Sequence, residues 1–142
     1  MSPRRFDPGI VESRLASMRD LLKDLERPGL DDATGLRADR YDRHVAERVL
    51  IALVELAAAI NSHVVAAARG QAPTNYKHSF ELAAEHGLIS RELADELIPS
   101  VGMRNILVHE YLEIDIDKVA AAVKLARDGY RRYLGVVAAY VK

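Results

Sequence analysis

The sequence contains no cysteine. That excludes disulfides, a thiolate nucleophile and cysteine-ligated metals, and an oxidising compartment is not required. It has almost no excess charge, since 20 basic side chains face 21 acidic ones. Generic coating of nucleic acid needs a basic face and is excluded, while a small local phosphate site is not. No unbroken apolar run reaches the roughly 18 residues of a membrane span. The richest run, LIALVELAAAI at 50–60, is interrupted by Glu55. The start, MSPRRFDPGI, has no apolar segment behind its charges and does not read as a secretory signal. Also lacking are internal repeats, low-complexity tracts, a glycine-rich phosphate loop and an ordered Ser-His-Asp set. A single domain over residues 1–142, soluble and cytoplasmic, with no membrane contact, is the expectation.

What the chain does have is helical periodicity from end to end. Val11, Leu15, Met18, Leu22 and Leu25 recur at steps of four and three, behind an Asp7-Pro8 start and ahead of a Pro28-Gly29 stop. A long second helix is expected from about Leu36 to Arg69, ended by Gly70 and Pro73. Thr74 or Asn75 can cap a short third helix closed by Gly87, and Ser90 can cap the next. Pro99 predicts a kink or a fresh first turn. Asp115 or Asp117 can cap a last helix with Val119, Val123, Ala126, Tyr130, Leu134, Val137 and Val141 on one stripe. The expected fold is all-α, an antiparallel bundle of four main helices plus a short one. The two long helices carry Ala and Val on more than one face, which is more apolar surface than one small bundle needs, so a homodimer is expected.

The segment RNILVHEY at 104–111 sets a cation, an imidazole and a phenol around aliphatic residues. At 100° per residue Tyr111 falls about 20° from Arg104, but His109 falls about 140° away. A straight helix therefore does not unite Arg104 with His109. Either the helix is distorted, or two copies pool their residues across a cleft. Histidine moves protons near neutral pH, and arginine grips phosphate with a planar fork. The pair suits cleavage of RNA without a metal, His109 activating the ribose 2′-hydroxyl, Arg104 stabilising the phosphorane and Asn105 positioning the phosphate. The bland alternative is a polar helix end, with Arg104 paired to Asp95 or Glu96 and Tyr111 an anchor. His44 and Glu47 share a helix face, a loose metal pair without a further ligand. Arg127, Arg131 and Arg132 read as a solvated face or as the lining of an RNA path.

RNILVHEY resembles the Arg-x4-His-x-Tyr motif of HepT-like proteins, a branch of the HEPN superfamily. PTNYKHSFELAAEHGLIS at 73–90, GMRNILVHEYLEID at 102–115 and RYDRHVAERVLIALVELAAAINSHVV at 40–65 are similar to the family's flanking segments. The resemblance covers about residues 5–140 and implies a HEPN-like bundle. It implies a metal-independent ribonuclease toxin of a HEPN/MNT toxin–antitoxin pair, active at the cleft of a symmetric dimer. Arg104 and His109 take the catalytic places. Tyr111 takes the place of the tyrosine that receives AMP from an MNT-type nucleotidyltransferase antitoxin. ATP and magnesium belong to that partner, and this chain is expected to carry no cofactor and no metal. In family members the second helix often presents an acidic residue and an asparagine to the motif. Here Ala59 and Ser62 align with them, beside Asn61 and His63. That departure favours an alternative role, a non-catalytic dimer that binds and regulates a nucleotidyltransferase.

Overall fold

The computed structural model describes residues 5–109 and 113–142. Each helix begins where a short polar side chain can take up free N–H groups. In α1 (Pro8–Leu25) the Asp7 carboxylate accepts from Gly9 N at 2.9 Å, and Pro8 occupies the first turn. The expected stripe Val11, Leu15, Met18, Leu22 and Leu25 is buried throughout. A turn through Gly29, at φ 93°, leads to α2 (Ala33–Ala38). The next helix, α3 (Arg40–Arg69), ends in left-handed Gly70. Asn75 caps α4 (Tyr76–His86), which Gly87 closes. Ser90 Oγ accepts from Leu93 N ahead of α5 (Arg91–His109), and Asp115 caps α6 (Ile116–Val141).

Two boundaries differ from the sequence reading. The second long helix begins at Arg40, not Leu36, because Asp39 adopts extended backbone and its carboxylate accepts from Tyr41 N and Asp42 N. The residues before it form the separate short helix α2, which buries Leu36. Pro99 neither restarts nor divides α5. Pro99 removes one N–H, while Ser100 Oγ bonds the Leu97 carbonyl and lies 2.6 Å from Tyr130 Oη, tying this stretch to α6. Gly129 on α6 makes room there, since a Cβ at that position would stand 2.9 Å from Leu97 Cδ2.

The architecture is an all-α bundle, with no strand among the described residues. Helix α3 is its axis, packing on each of the other five helices. By length and composition α3 is apolar enough to cross a bilayer, more so than its longest uncharged run suggests. Yet 56% of its most apolar window is buried inside the bundle, as in a core helix. The core also holds two tyrosines and an asparagine. Tyr133 Oη lies 2.7 Å from Asn61 Oδ1 and 3.1 Å from Ala57 O. Asn61 Nδ2 donates to Ser79 Oγ at 3.5 Å, and Ser79 Oγ donates to the Tyr76 carbonyl at 2.6 Å. A polar chain thus runs from α6 through α3 to the first turn of α4. Desolvation pushes the Tyr130 and Tyr133 hydroxyls well above the ordinary phenol range, so both stay protonated donors.

Tyr133→Phe removes the hydroxyl and leaves the buried Asn61 Oδ1 without its donor. The expected cost is about 1–3 kcal/mol, read as a lower denaturant midpoint at unchanged slope. Adding Asn61→Leu removes the orphaned side chain and should recover part of the loss. An unchanged midpoint in the single variant would show that the network does not contribute to stability.

Candidate functional site

Arg104 projects from the second turn from the end of α5 toward α3 and α4, and its side chain is only 17% exposed. Three groups hold it. Glu55 on α3 places Oε1 4.0 Å from Nη2. The ring of Tyr76, at the start of α4, lies under the guanidinium with its centroid 4.7 Å from Cζ, a cation–π contact. Asn105 Oδ1 accepts from Nη1 at 3.2 Å. The buried Nε finds no hydrogen-bond partner among the described residues. The Glu55 contact is long and one-sided, so it orients the cation without satisfying all its donors.

Arg104 and Asn105 open onto a cleft of about 660 Å³ between the start of α4 and the middle of α5, lined also by Tyr76, Lys77, Pro99 and Gly102. A second cleft of about 440 Å³ lies beyond Tyr76, lined by Glu55, Ala59, Ser62 and Asn75 among others. Ala59 and Ser62 therefore do face this region, and the Ser62 hydroxyl is turned back onto the Ala58 carbonyl at 2.8 Å. The acidic side chain that reaches Arg104 is Glu55, one helical turn earlier. Asn61 is in the core, bonded to Tyr133.

His109 is the last residue of α5 and is exposed. Because α5 is unbroken from Arg91, the ideal helix applies. Arg104 and His109 are separated by about 140° around the axis and about 7.5 Å along it. One chain does not bring them together. Arg104 lies on the side of α5 that also buries Leu93, Leu97, Val101 and Leu107. His109 shares the outward stripe with Ile98, Gly102 and Asn105, at steps of four, three and four. Asn105 links the two sides, on the outward stripe by position and bonded to Arg104. Tyr111, the third member of the motif, lies outside the described residues.

The bland partners fail for Arg104. Asp95 pairs with Arg91 at 3.7 Å, and Glu96 pairs with Arg132. The other arginines are engaged structurally. Arg127 donates to the Leu25 and Arg27 carbonyls and meets Asp31 at 2.9 Å, clamping the turn after α1. Arg131 pairs with Glu26 at 3.0 Å. His63 accepts from Asp7 N at 2.9 Å, and His86 Nε2 lies 3.1 Å from Tyr140 Oη. His44 and Glu47 gather no third metal-binding side chain among the described residues.

Sequence reasoning missed Glu55 and Tyr76. Glu55 did leave a signal, as the one charge in the apolar run 50–60. Tyr76 left none, because its partner is supplied by another helix.

Comparison with known proteins extends these observations. The family described as Ribonuclease HepT-like matches residues 14–137. The tRNA nuclease HepT of Aphanizomenon flos-aquae is 32% identical over 140 residues, covering 96% of this chain and 92% of that protein. The mRNA nuclease HepT of Shewanella oneidensis is 36% identical over 67 residues, 47% of this chain and 50% of that one. Among solved structures, the tri-AMPylated Shewanella oneidensis HEPN toxin in complex with MNT antitoxin superposes with a TM-score of 0.82 at 26% identity. It covers 92% of this chain and 97% of that chain. A family match over most of its length, and a relative nearly as long as itself, show that the chain belongs to the HepT-like ribonuclease family.

Proposed function

We propose that this protein is a metal-independent ribonuclease toxin of a HEPN/MNT toxin–antitoxin pair, acting as a cytoplasmic homodimer. The observation that carries the reading is the Arg104 guanidinium. It is oriented by Glu55 and Tyr76, keeps donors unspent, and opens with Asn105 onto a cleft of about 660 Å³. Such a cation is built to meet a phosphate. The relatives described as tRNA and mRNA nucleases give the substrate class, RNA.

His109 supplies the base. It takes the proton of the ribose 2′-hydroxyl as the 2′-oxygen bonds to phosphorus, and Arg104 offsets the charge that grows on the phosphoryl oxygens. The bond from phosphorus to the 5′-oxygen then breaks, and that oxygen takes a proton from a second imidazolium or from water. Within one chain the base and the cation point to different sides of α5, so a second copy completes the site. The surface for it is the outward side of α5. There Met103 and Ile106 are half-buried and the exposed His109 ends the helix, while Ile98, Pro99 and Gly102 line the cleft toward α4 and stay clear of the second copy.

The MNT nucleotidyltransferase is the antitoxin partner, and it is the enzyme that uses ATP and magnesium. AMP transferred to Tyr111, two residues beyond His109, adds bulk and negative charge close to the catalytic pair and competes with the RNA phosphate. The structure of an AMPylated HEPN toxin bound to MNT antitoxin supports this mode of control. The second reading, a non-catalytic dimer that serves the nucleotidyltransferase, is favoured by Ala59 and Ser62 in place of a larger polar pair. Glu55 at Arg104 weakens it.

Arg104→Ala and His109→Ala should each lower cleavage of single-stranded RNA in a chelator-containing buffer by about 100- to 10,000-fold. Each should also abolish growth arrest on expression. Cleavage that survives both changes, or that requires an added metal, would sink the mechanism. Neither variant should cut alone, yet a coexpressed mixture should regain activity, because a mixed dimer keeps one intact arginine–histidine pair. No recovery in the mixture would argue against sites shared between copies. Tyr111→Phe should remain toxic beside an active nucleotidyltransferase that silences the wild type. Equal silencing of both would remove Tyr111 from the switch.

A further inference from the structure

The cleft beside Arg104 extends well past the space one phosphate needs. Its charged lining is Arg104 and Lys77, with no carboxylate. Four other clefts each include one, from Glu96, Glu55, Asp20 or Glu12. In a chain of net charge −1 this is a local concentration of positive charge. Lys77 is exposed, and it is absent from every ion pair formed among the described residues. Asn75 and Asn105 bring amides from opposite walls, and Ile98 and Pro99 supply an apolar edge.

Gly102 adds an independent observation. It lies inside α5 without a positive φ, and a Cβ built there meets nothing within 4 Å. Neither the backbone nor the packing of this chain calls for glycine at that position. A glycine in a helix interior costs about 1 kcal/mol relative to alanine. The bare backbone there lets something outside the chain approach closely.

We propose that this cleft is a second subsite for single-stranded RNA. Lys77 grips the phosphate adjacent to the scissile one, and the intervening nucleotide lies along Gly102 with its base edge toward Asn75 and Asn105. The inference rests on the nuclease reading above and adds where the strand runs. Cations without carboxylates, amides and a bare backbone suit a nucleotide chain better than a protein partner. Lys77 is a binding and positioning residue, and the proton transfers stay with His109.

The test uses the full-length His109→Ala protein and a fluorescein-labelled single-stranded oligoribonucleotide, with anisotropy measured across a salt series. Adding Lys77→Ala should weaken binding about tenfold at low salt. It should also flatten the slope of log affinity against log salt by about 0.7, the signature of one lost phosphate contact on a single strand. Adding Gly102→Leu should weaken binding without changing that slope, and it should raise rather than lower the melting temperature of the helix bundle. In the protein that retains His109, Lys77→Ala should lower kcat/KM mainly through KM. Unchanged affinity and slope in both variants would overturn the subsite, as would a His109→Ala protein that does not bind RNA. A shift in sedimentation toward monomer with RNA affinity intact would assign the cleft to a protein contact and equally overturn it. Residual cleavage by His109→Ala would instead count against the catalytic assignment, leaving the salt slope to decide the subsite.

Discussion

The organisation of the site depends on the continuity of α5. A helix that runs unbroken from Arg91 to His109 fixes the angle between its side chains, and residues five apart cannot share a face. Arg104 is therefore committed to the inside of the bundle and His109 to the outside. Pro99 had been the natural place for a bend that would relieve this. Its neighbour Ser100 is instead tied to Tyr130, and Leu97 is seated over Gly129, so the segment is held against α6. A single chain thereby presents a guanidinium and an imidazole on different sides of one helix. In the proposed mechanism the second copy answers helical geometry rather than any excess of apolar surface.

The cation itself is held by a compromise. Burying a guanidinium costs free energy unless charge and hydrogen bonds compensate. Glu55 compensates at a distance of 4.0 Å from a carboxylate that is 43% exposed, and the Tyr76 ring adds a cation–π contact. A short bidentate pair would neutralise the arginine and occupy its fork. The looser arrangement orients the group and leaves donors for a ligand. Tyr76 is in turn located by the buried chain from Tyr133 through Asn61 and Ser79 to its own carbonyl. Three helices thus converge on the position of one aromatic ring.

Charge elsewhere is used differently. Arg127 and Arg131 fasten the turn after α1 to α6, Arg37 meets Asp117 at 3.0 Å, and Arg132 joins α6 to α5 through Glu96. His63 receives the backbone of Asp7 under the Phe6 ring, whose centroid is 5.7 Å from its own. These groups hold segments together, so the arginines near the C-terminus do not form an open track for RNA. The contrast makes the cleft at Arg104 and Lys77 distinctive, since Lys77 joins no ion pair among the described residues and Arg104 meets its one carboxylate, Glu55, only at 4.0 Å.

The sequence by itself determined the helices, most of their ends and the Arg-x4-His-x-Tyr motif. Caps such as Asp7, Asn75 and Asp115 act on N–H groups within three residues, and apolar stripes repeat within a turn, so both are written locally. The Asp39 break escaped because its carboxylate competes with a helical pattern that continues on both sides. Only the tertiary structure decided what surrounds Arg104. Its Glu55 partner lies 49 residues away and its Tyr76 partner 28 away, on helices whose relative rotation no local rule fixes. The same holds for Asn61, which reads as a polar residue near the motif until Tyr133, 72 residues on, draws it into the core. Helix formation is a short-range balance of hydrogen bonds and entropy, whereas the pairing of faces is settled only when all six helices pack at once.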